Sequence, residues 1–178
     1  MKGFGEKSKP SKPKESNENN QSSKEDIINQ AISFHLQGNI QKASKYYEFC
    51  LKQNFNDYRI FSNYGVILQS LGKLKEAELL LSKAIELNPN CANSFSNLGN
   101  ILKNLGRLQD AELLTRKAIE LKPDLPDAHL NLGTILKDLG KLQDAESATL
   151  KAIELNPDLA LAHSNLGSIL RDLGKLKE

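Results

Sequence analysis

Cysteine is scarce in this sequence. Cys50 and Cys91 are the only two, they lie far apart and form no C-x-x-C pair, so a disulfide framework and a redox motif are both excluded. The N-terminus, M-K-G-F-G-E-K-S-K-P, has no apolar run of the kind that makes a secretory leader, and no window of the chain approaches the length of a membrane-spanning helix. A soluble protein of a reducing, cytoplasmic compartment is the expectation. Charge of one sign is also lacking. The net charge is +2, residues 1–24 hold six lysines against three glutamates, and the remainder is near neutral with 18 basic and 19 acidic residues. A surface for duplex nucleic acid needs clustered Lys and Arg on many phosphates, and nothing of the kind is available. No nucleophile motif, phosphate-cradling Gly loop or zinc-protease signature occurs. The chain is therefore expected to carry no catalysis, no cofactor and no metal of its own.

What it has instead is repetition. Asn97 to Glu112 reads N-L-G-N-I-L-K-N-L-G-R-L-Q-D-A-E, and 34 residues later Asn131 to Glu146 reads N-L-G-T-I-L-K-D-L-G-K-L-Q-D-A-E. The same phrase stands at Asn63 to Glu78 and begins again at Asn165. Self-similarity at a fixed period of a few tens of residues marks one supersecondary unit stacked on copies of itself, so stability grows by stacking.

Within each unit the spacing predicts two helices. Phe95, Leu98, Gly99, Leu102 and Leu105 recur at helical intervals, and Gly106 closes that helix, as Gly72, Gly140 and Gly174 close theirs. A second helix follows with Leu108, Ala111, Leu114, Ala118 and Leu121 on its inner side and acidic Asp110 in its first turn, where the helix dipole favours it. Pro89, Pro123 and Pro157 end the second helices, and Asn90, Asp124 and Asp158 are expected to cap the next ones. Gly65, Gly99, Gly133 and Gly167 fall inside helices, where glycine costs about 1 kcal/mol relative to alanine. Two backbones are expected to approach closely there. Residues 1–23, rich in Lys, Ser, Asn and Pro, are expected to be disordered. Residues 24–57 form a degenerate first copy, with Cys50 small and buried in an alanine place; full copies occupy 58–91, 92–125 and 126–159, and 160–178 holds only a first helix. Leu166, Leu170 and Leu173 then lack a partner helix, and the expectation is an exposed apolar strip on an N-terminal fragment of a longer chain.

With Phe95, Leu98-Gly99, Leu102, Ala111, Ala118 and Pro123 at these offsets, the unit resembles the tetratricopeptide repeat. The resemblance covers Lys24 to Glu178. It departs where the family has aromatics, at His129 and His163 and at Leu68, Leu102, Leu136 and Leu170. It implies an all-α fold, a right-handed superhelix of antiparallel helix pairs whose first helices line a concave groove for peptide segments of partner proteins. The repeats look most like those of O-linked N-acetylglucosamine transferase-like proteins. In that family a ladder of asparagines holds the partner's backbone, and the matching places are Asn63, Asn97, Asn131 and Asn165.

The chemistry suits such a ladder. An asparagine amide both donates and accepts, so it pairs with a peptide unit whatever the ligand's side chains, and mid-helix asparagine is otherwise a mediocre choice. The alternative is that duplication carried along one packing residue beside the glycine. On the same helical face lie Asn93, Asn100, Lys103, Asn104, Asp127, Thr134, Lys137, Asp138, Ser164, Ser168, Arg171 and Asp172, a polar and mixed lining with a basic row of Lys103, Lys137 and Arg171. The carboxylate clamp of some family members is excluded, because Ser96, Leu161 and Asn165 stand where its basic residues belong. His129 and His163, one per repeat, are expected to pack between helices rather than ligate metal. The expected function is a protein-interaction module binding extended peptide segments, with no nucleic acid and no membrane among its partners. The alternative is the substrate-recruiting arm of a larger enzyme, first of all a glycosyltransferase of the O-linked N-acetylglucosamine type. An RNA-reading repeat is disfavoured by the period and the neutral charge.

Overall fold

The computed structural model of the chain describes residues 18–175, and among these it holds nine α-helices and no strand. They are α1 (Glu18–Leu36), α2 (Ile40–Lys52), α3 (Tyr58–Ser70), α4 (Leu74–Leu87), α5 (Ala92–Asn104), α6 (Leu108–Leu121), α7 (Pro126–Asp138), α8 (Leu142–Leu155) and α9 (Ala160–Asp172). The first helices α3, α5, α7 and α9 begin at the register that the period sets. Helix α1 begins six residues before Lys24, the expected start of the first copy; residues 1–17 lie outside the described residues. Once Ile28 and Ala31 are anchored in the core, each added residue gains a backbone bond without a new nucleation step.

Each turn between a first helix and its partner is built alike. At Gly106, φ is +78°, a left-handed conformation that only glycine adopts freely. The Gly106 amide donates to the Lys103 carbonyl and the Arg107 amide to the Leu102 carbonyl, both at 2.9 Å. These two bonds satisfy carbonyls that the helix end would leave unpaired, the Schellman arrangement. The same pair recurs at Gly38, Gly72, Gly140 and Gly174. At the far end of α4, Asn88 is extended (φ −140°, ψ 90°), as the residue before a proline must tend to be.

The capping expectation fails at the next step. The N-cap places of α5, α7 and α9 belong to Cys91, Leu125 and Leu159, none of which makes a side-chain cap bond. Asn90 and Asp158 lie one residue before those places, in the preceding turn, where their backbone amides donate to Asn88 Oδ1 (3.1 Å) and Asn156 Oδ1 (3.2 Å). Asp124 likewise stands one residue too early. Asp57 caps α3 through the Arg59 amide at 2.9 Å.

Two of the four mid-helix glycines are backbone contact points, as expected, while Gly65 faces the Leu81 side chain. A Cβ on Gly99 or Gly133 would stand 3.2 Å from the Ala111 or Ala145 carbonyl oxygen of the partner helix and would overlap the Thr115 or Thr149 hydroxyl. The buried threonines are themselves unforeseen occupants of the second helices, beside Ala111 and Ala118 in α6 and Ala145 and Ala152 in α8. At Gly167 nothing lies within 4 Å.

Successive first helices touch one another, α1 on α3, α3 on α5, α5 on α7 and α7 on α9, whereas the second helices make no such contacts among the described residues. Small buried residues, Ser62, Ser94, Ser96 and Ala128, allow the close inner spacing, and Ser94 donates to Ser62 across it at 3.0 Å. Closer spacing on the first-helix row than on the second bends the stack and makes the first-helix face concave. One apolar core runs from Ile28 through Tyr47, Ile67, Leu81 and Ile101 to Ile135, with Cys50 fully buried in it. Leu166 and Leu170 on α9 are half-buried where their counterparts Leu132 and Leu136 are 6% and 1% exposed.

Along one edge, the residue after each of the last three closing glycines reaches back to the previous repeat: Arg107 to Glu78 (2.6 Å), Lys141 to Glu112 (2.8 Å) and Lys175 to Glu146 (2.5 Å). Lys141 and, beside it, Arg116 hold the Glu112 carboxyl below the usual carboxylate range. Exposed pairs of this kind contribute about 0–1 kcal/mol each, so they align neighbouring repeats more than they hold them.

Candidate functional site

The four asparagines of the repeated phrase lie half-buried on the concave row. They fall into two cavities. One, of about 390 Å³, lies between α3, α5 and the start of α7 and is lined by Asn63 and Asn97 with Arg59, Asn93, Ser96 and Asp127. The other, of about 370 Å³, lies between α5, α7 and α9 and is lined by Asn131 and Asn165 with Asn100, Lys103, Thr134 and Ser168. Asn104, Asp138 and Arg171 are exposed and line neither cavity. Lys137 stands at the rim of the second, where its Nζ donates to Ser168 Oγ at 2.7 Å and approaches Asp172 to 3.6 Å. The basic row is thus broken: Lys103 has no ion pair among the described residues, Lys137 is engaged and Arg171 lies outside both cavities.

The amides are positioned by their neighbours. Asn131 Nδ2 donates to Ser96 Oγ on the preceding first helix at 3.0 Å. Asn165 Nδ2 shares its protons between Thr134 Oγ1 (3.4 Å) and Thr149 Oγ1 (3.3 Å), and the Thr149 hydroxyl in turn donates to the Ala145 carbonyl at 2.8 Å. With each Nδ2 engaged, the Oδ1 of Asn131 and Asn165 has no protein donor among the described residues, which leaves an acceptor for an incoming N–H. Asn63 lies beside the phenol of Tyr47, which burial pushes up to about 12 against the opposing effect of Asn63. Asn97 makes no hydrogen bond to another described side chain. The serine and threonine hydroxyls that hold the asparagines are what sequence reasoning missed; small polar residues recurring inside an apolar stripe were the available signal.

The charges at the two cavities differ. Arg59 is neutralised by a double fork, to Glu25 at 2.7 Å and to Asp57 at 2.7 Å, and its guanidinium lowers the pKa of both carboxyls. Among the described residues that leaves Asp127 as the acid without an ion pair at the first cavity, and Lys103 as the cation without one at the second. His129 is half-buried between α6 and α8, whereas His163 is exposed. Their Nε2 atoms reach back to the carbonyl oxygens of Pro123 (2.8 Å) and Pro157 (2.7 Å). A ring nitrogen next to an unpaired backbone carbonyl finds a partner there that an apolar interior would deny it. Among the described residues no group of three His, Cys, Asp or Glu side chains is placed to hold a metal ion, and no helix is long and apolar enough to cross a membrane.

Three stretches match models of the tetratricopeptide repeat, residues 58–91, 80–112 and 126–159. These models describe the repeat in general and do not single out the glycosyltransferase arms. No curated protein matches the sequence. Among solved structures, pilF of Pseudomonas aeruginosa is 18% identical, with 89% of this chain and 72% of that one covered at a TM-score of 0.76. YrrB, described as a TPR protein with an unusual peptide-binding site, is 22% identical over 85% of this chain and 78% of that one, at 0.65. The first TPR of Spaghetti (RPAP3), bound to the HSP90 peptide SRMEEVD, is 22% identical over 66% of this chain and 94% of that one, at 0.63. At such identities the likeness is one of fold.

Proposed function

The chain belongs to the tetratricopeptide repeat family, and from that premise we propose that its concave face binds an extended segment of a partner protein. The observation that carries the proposal is the gathering of all four phrase asparagines into two cavities of one groove. Amides, hydroxyls and a lysine in a concave wall recognise hydrogen-bonding groups; they are tools of binding. Asn131 and Asn165, their donors held by Ser96 and Thr149, offer Oδ1 to backbone N–H groups of the segment. Asn97 has both halves of its amide to offer. Structures that share the fold give the reading a precedent, one of them bound to a heptapeptide and another described by its peptide-binding site. Because asparagine contacts read the backbone, side-chain selectivity falls to Asp127 in one cavity and Lys103 in the other.

Binding of a random twelve-residue peptide pool to the intact chain, beside a variant carrying Asn97→Ala and Asn131→Ala, tests this. Two lost hydrogen bonds of about 1 kcal/mol each weaken the complex by roughly tenfold or more. Equal binding by two equally folded proteins would sink the ladder.

A further inference from the structure

On the face away from the groove, a cleft of about 610 Å³ opens between α6 and α8, with α7 as its floor. Because the backbones of successive second helices stand apart among the described residues, each gap in the outer row depends on side chains to fill it. One repeat earlier, half-buried Phe95 on α5 and Leu114 on α6 stand at the corresponding positions, and Leu114 packs against the main core. In the cleft the counterparts are His129 and Ala148, and Ser147 replaces Leu113. The His129 ring is moreover drawn back to the Pro123 carbonyl. The main core ends at this place, and a small separate cluster of Leu132, Leu136, Ala145, Ala148 and Ile169 lies beneath the cleft.

The rim is charged and, with one exception, self-paired. Arg116 is held by Glu112 (2.9 Å), Glu120 by Lys117 (3.0 Å) and Lys151 by Glu154 (2.7 Å). The exception is Asp144. Its counterpart Asp110 is bound by Arg107 at 2.8 Å, but Lys141, which replaces that arginine, turns to Glu112 instead. The result is an apolar floor that lacks a ring and a branched side chain, next to an exposed carboxylate without an ion pair among the described residues.

We propose that this cleft is a second binding site, which takes a phenylalanine or leucine side chain of a partner peptide while an adjacent lysine or arginine of that peptide reaches Asp144. The occupant restores what Phe95 and Leu114 supply in the preceding repeat and supplies the cation that Asp144 lacks. The site is independent of the asparagine groove, because it uses the opposite side of α7.

Three pools of twelve-residue peptides, random except for a central Phe-Lys, Phe-Glu or Ala-Lys pair, test the proposal on the intact chain. The Phe-Lys pool binds roughly tenfold better than Ala-Lys, the worth of one buried aromatic side chain, and several-fold better than Phe-Glu. Ala148→Leu, which puts back the residue of the preceding repeat, abolishes the preference while melting at or above the parent's temperature. Asp144→Asn removes only the preference over Phe-Glu. The Asn97→Ala, Asn131→Ala variant keeps both preferences, which separates this site from the groove. Indifference among the pools overturns the proposal, as does a preference that survives Ala148→Leu or disappears with the groove variant. A lower melting temperature for Ala148→Leu also overturns it, since it would mean that the cleft has no room.

Discussion

Tyr47→Ala is expected to lower stability by about 3–5 kcal/mol, the range for deleting a buried aromatic side chain. Tyr47 is fully buried, stacks on Tyr64 with ring centroids 5.9 Å apart and meets the edge of His35 at 6.3 Å. It is the largest fully buried side chain of the degenerate first copy and stands where the later copies have Leu81, Thr115 and Thr149. The terminal repeat thus fills with one ring a space that Leu81 fills in the next repeat and that closer helix approach narrows at Thr115 and Thr149. Its hydroxyl lies beside Asn63 but makes no well-formed hydrogen bond among the described residues, so Tyr47→Phe keeps the packing and changes stability by less than about 1 kcal/mol. In a stack of nearest-neighbour units the damage is local. Hydrogen exchange of Tyr47→Ala accelerates in α1, α2 and α3 and leaves α7 and α8 protected; equal acceleration throughout would mean that the repeats do not unfold as separable units.

Gly133→Leu is expected to cost about 3 kcal/mol or more, at the upper end of overpacking penalties. Gly167→Leu, the same substitution at the same place of the next phrase, gains up to about 1 kcal/mol from helix propensity. The difference lies in what stands opposite. A side chain on Gly133 meets the Ala145 carbonyl and the Thr149 hydroxyl, which is fixed by its own bond to that carbonyl. One on Gly167 meets nothing within 4 Å. Urea melts of the two variants decide it: similar destabilisation by both would show that the glycines serve the helix itself and not the contact between helices.

The helix pairs were fully legible in the sequence, because period, closing glycine and terminal proline are local signals whose physical effects are local. The close approach at Gly99 and Gly133 was legible for the same reason, since a repeated local cost implied a tertiary gain. Legibility stopped where two local signals competed. Asn90 and Asp158 are good caps by residue type, but the proline turn sets the helix start one residue beyond them. It also stopped where a partner lies in another repeat: Ser96 and Thr149 orient the asparagines across helix boundaries that spacing alone does not connect. The cleft beside Ala148 is visible in the sequence only as a missing leucine, and its meaning depends on the second helices standing apart.

The central claim is that the asparagines of the concave row meet the partner directly. Their side-chain NH2 resonances report this, recorded on the ¹⁵N-labelled chain while a peptide selected on the Ala148→Leu protein, with its outer cleft filled, is added. The account predicts that the Asn97, Asn131 and Asn165 signals shift together with backbone amides of α5 and α7. Unmoved asparagine signals, with the changes confined to α6 and α8, would contradict it.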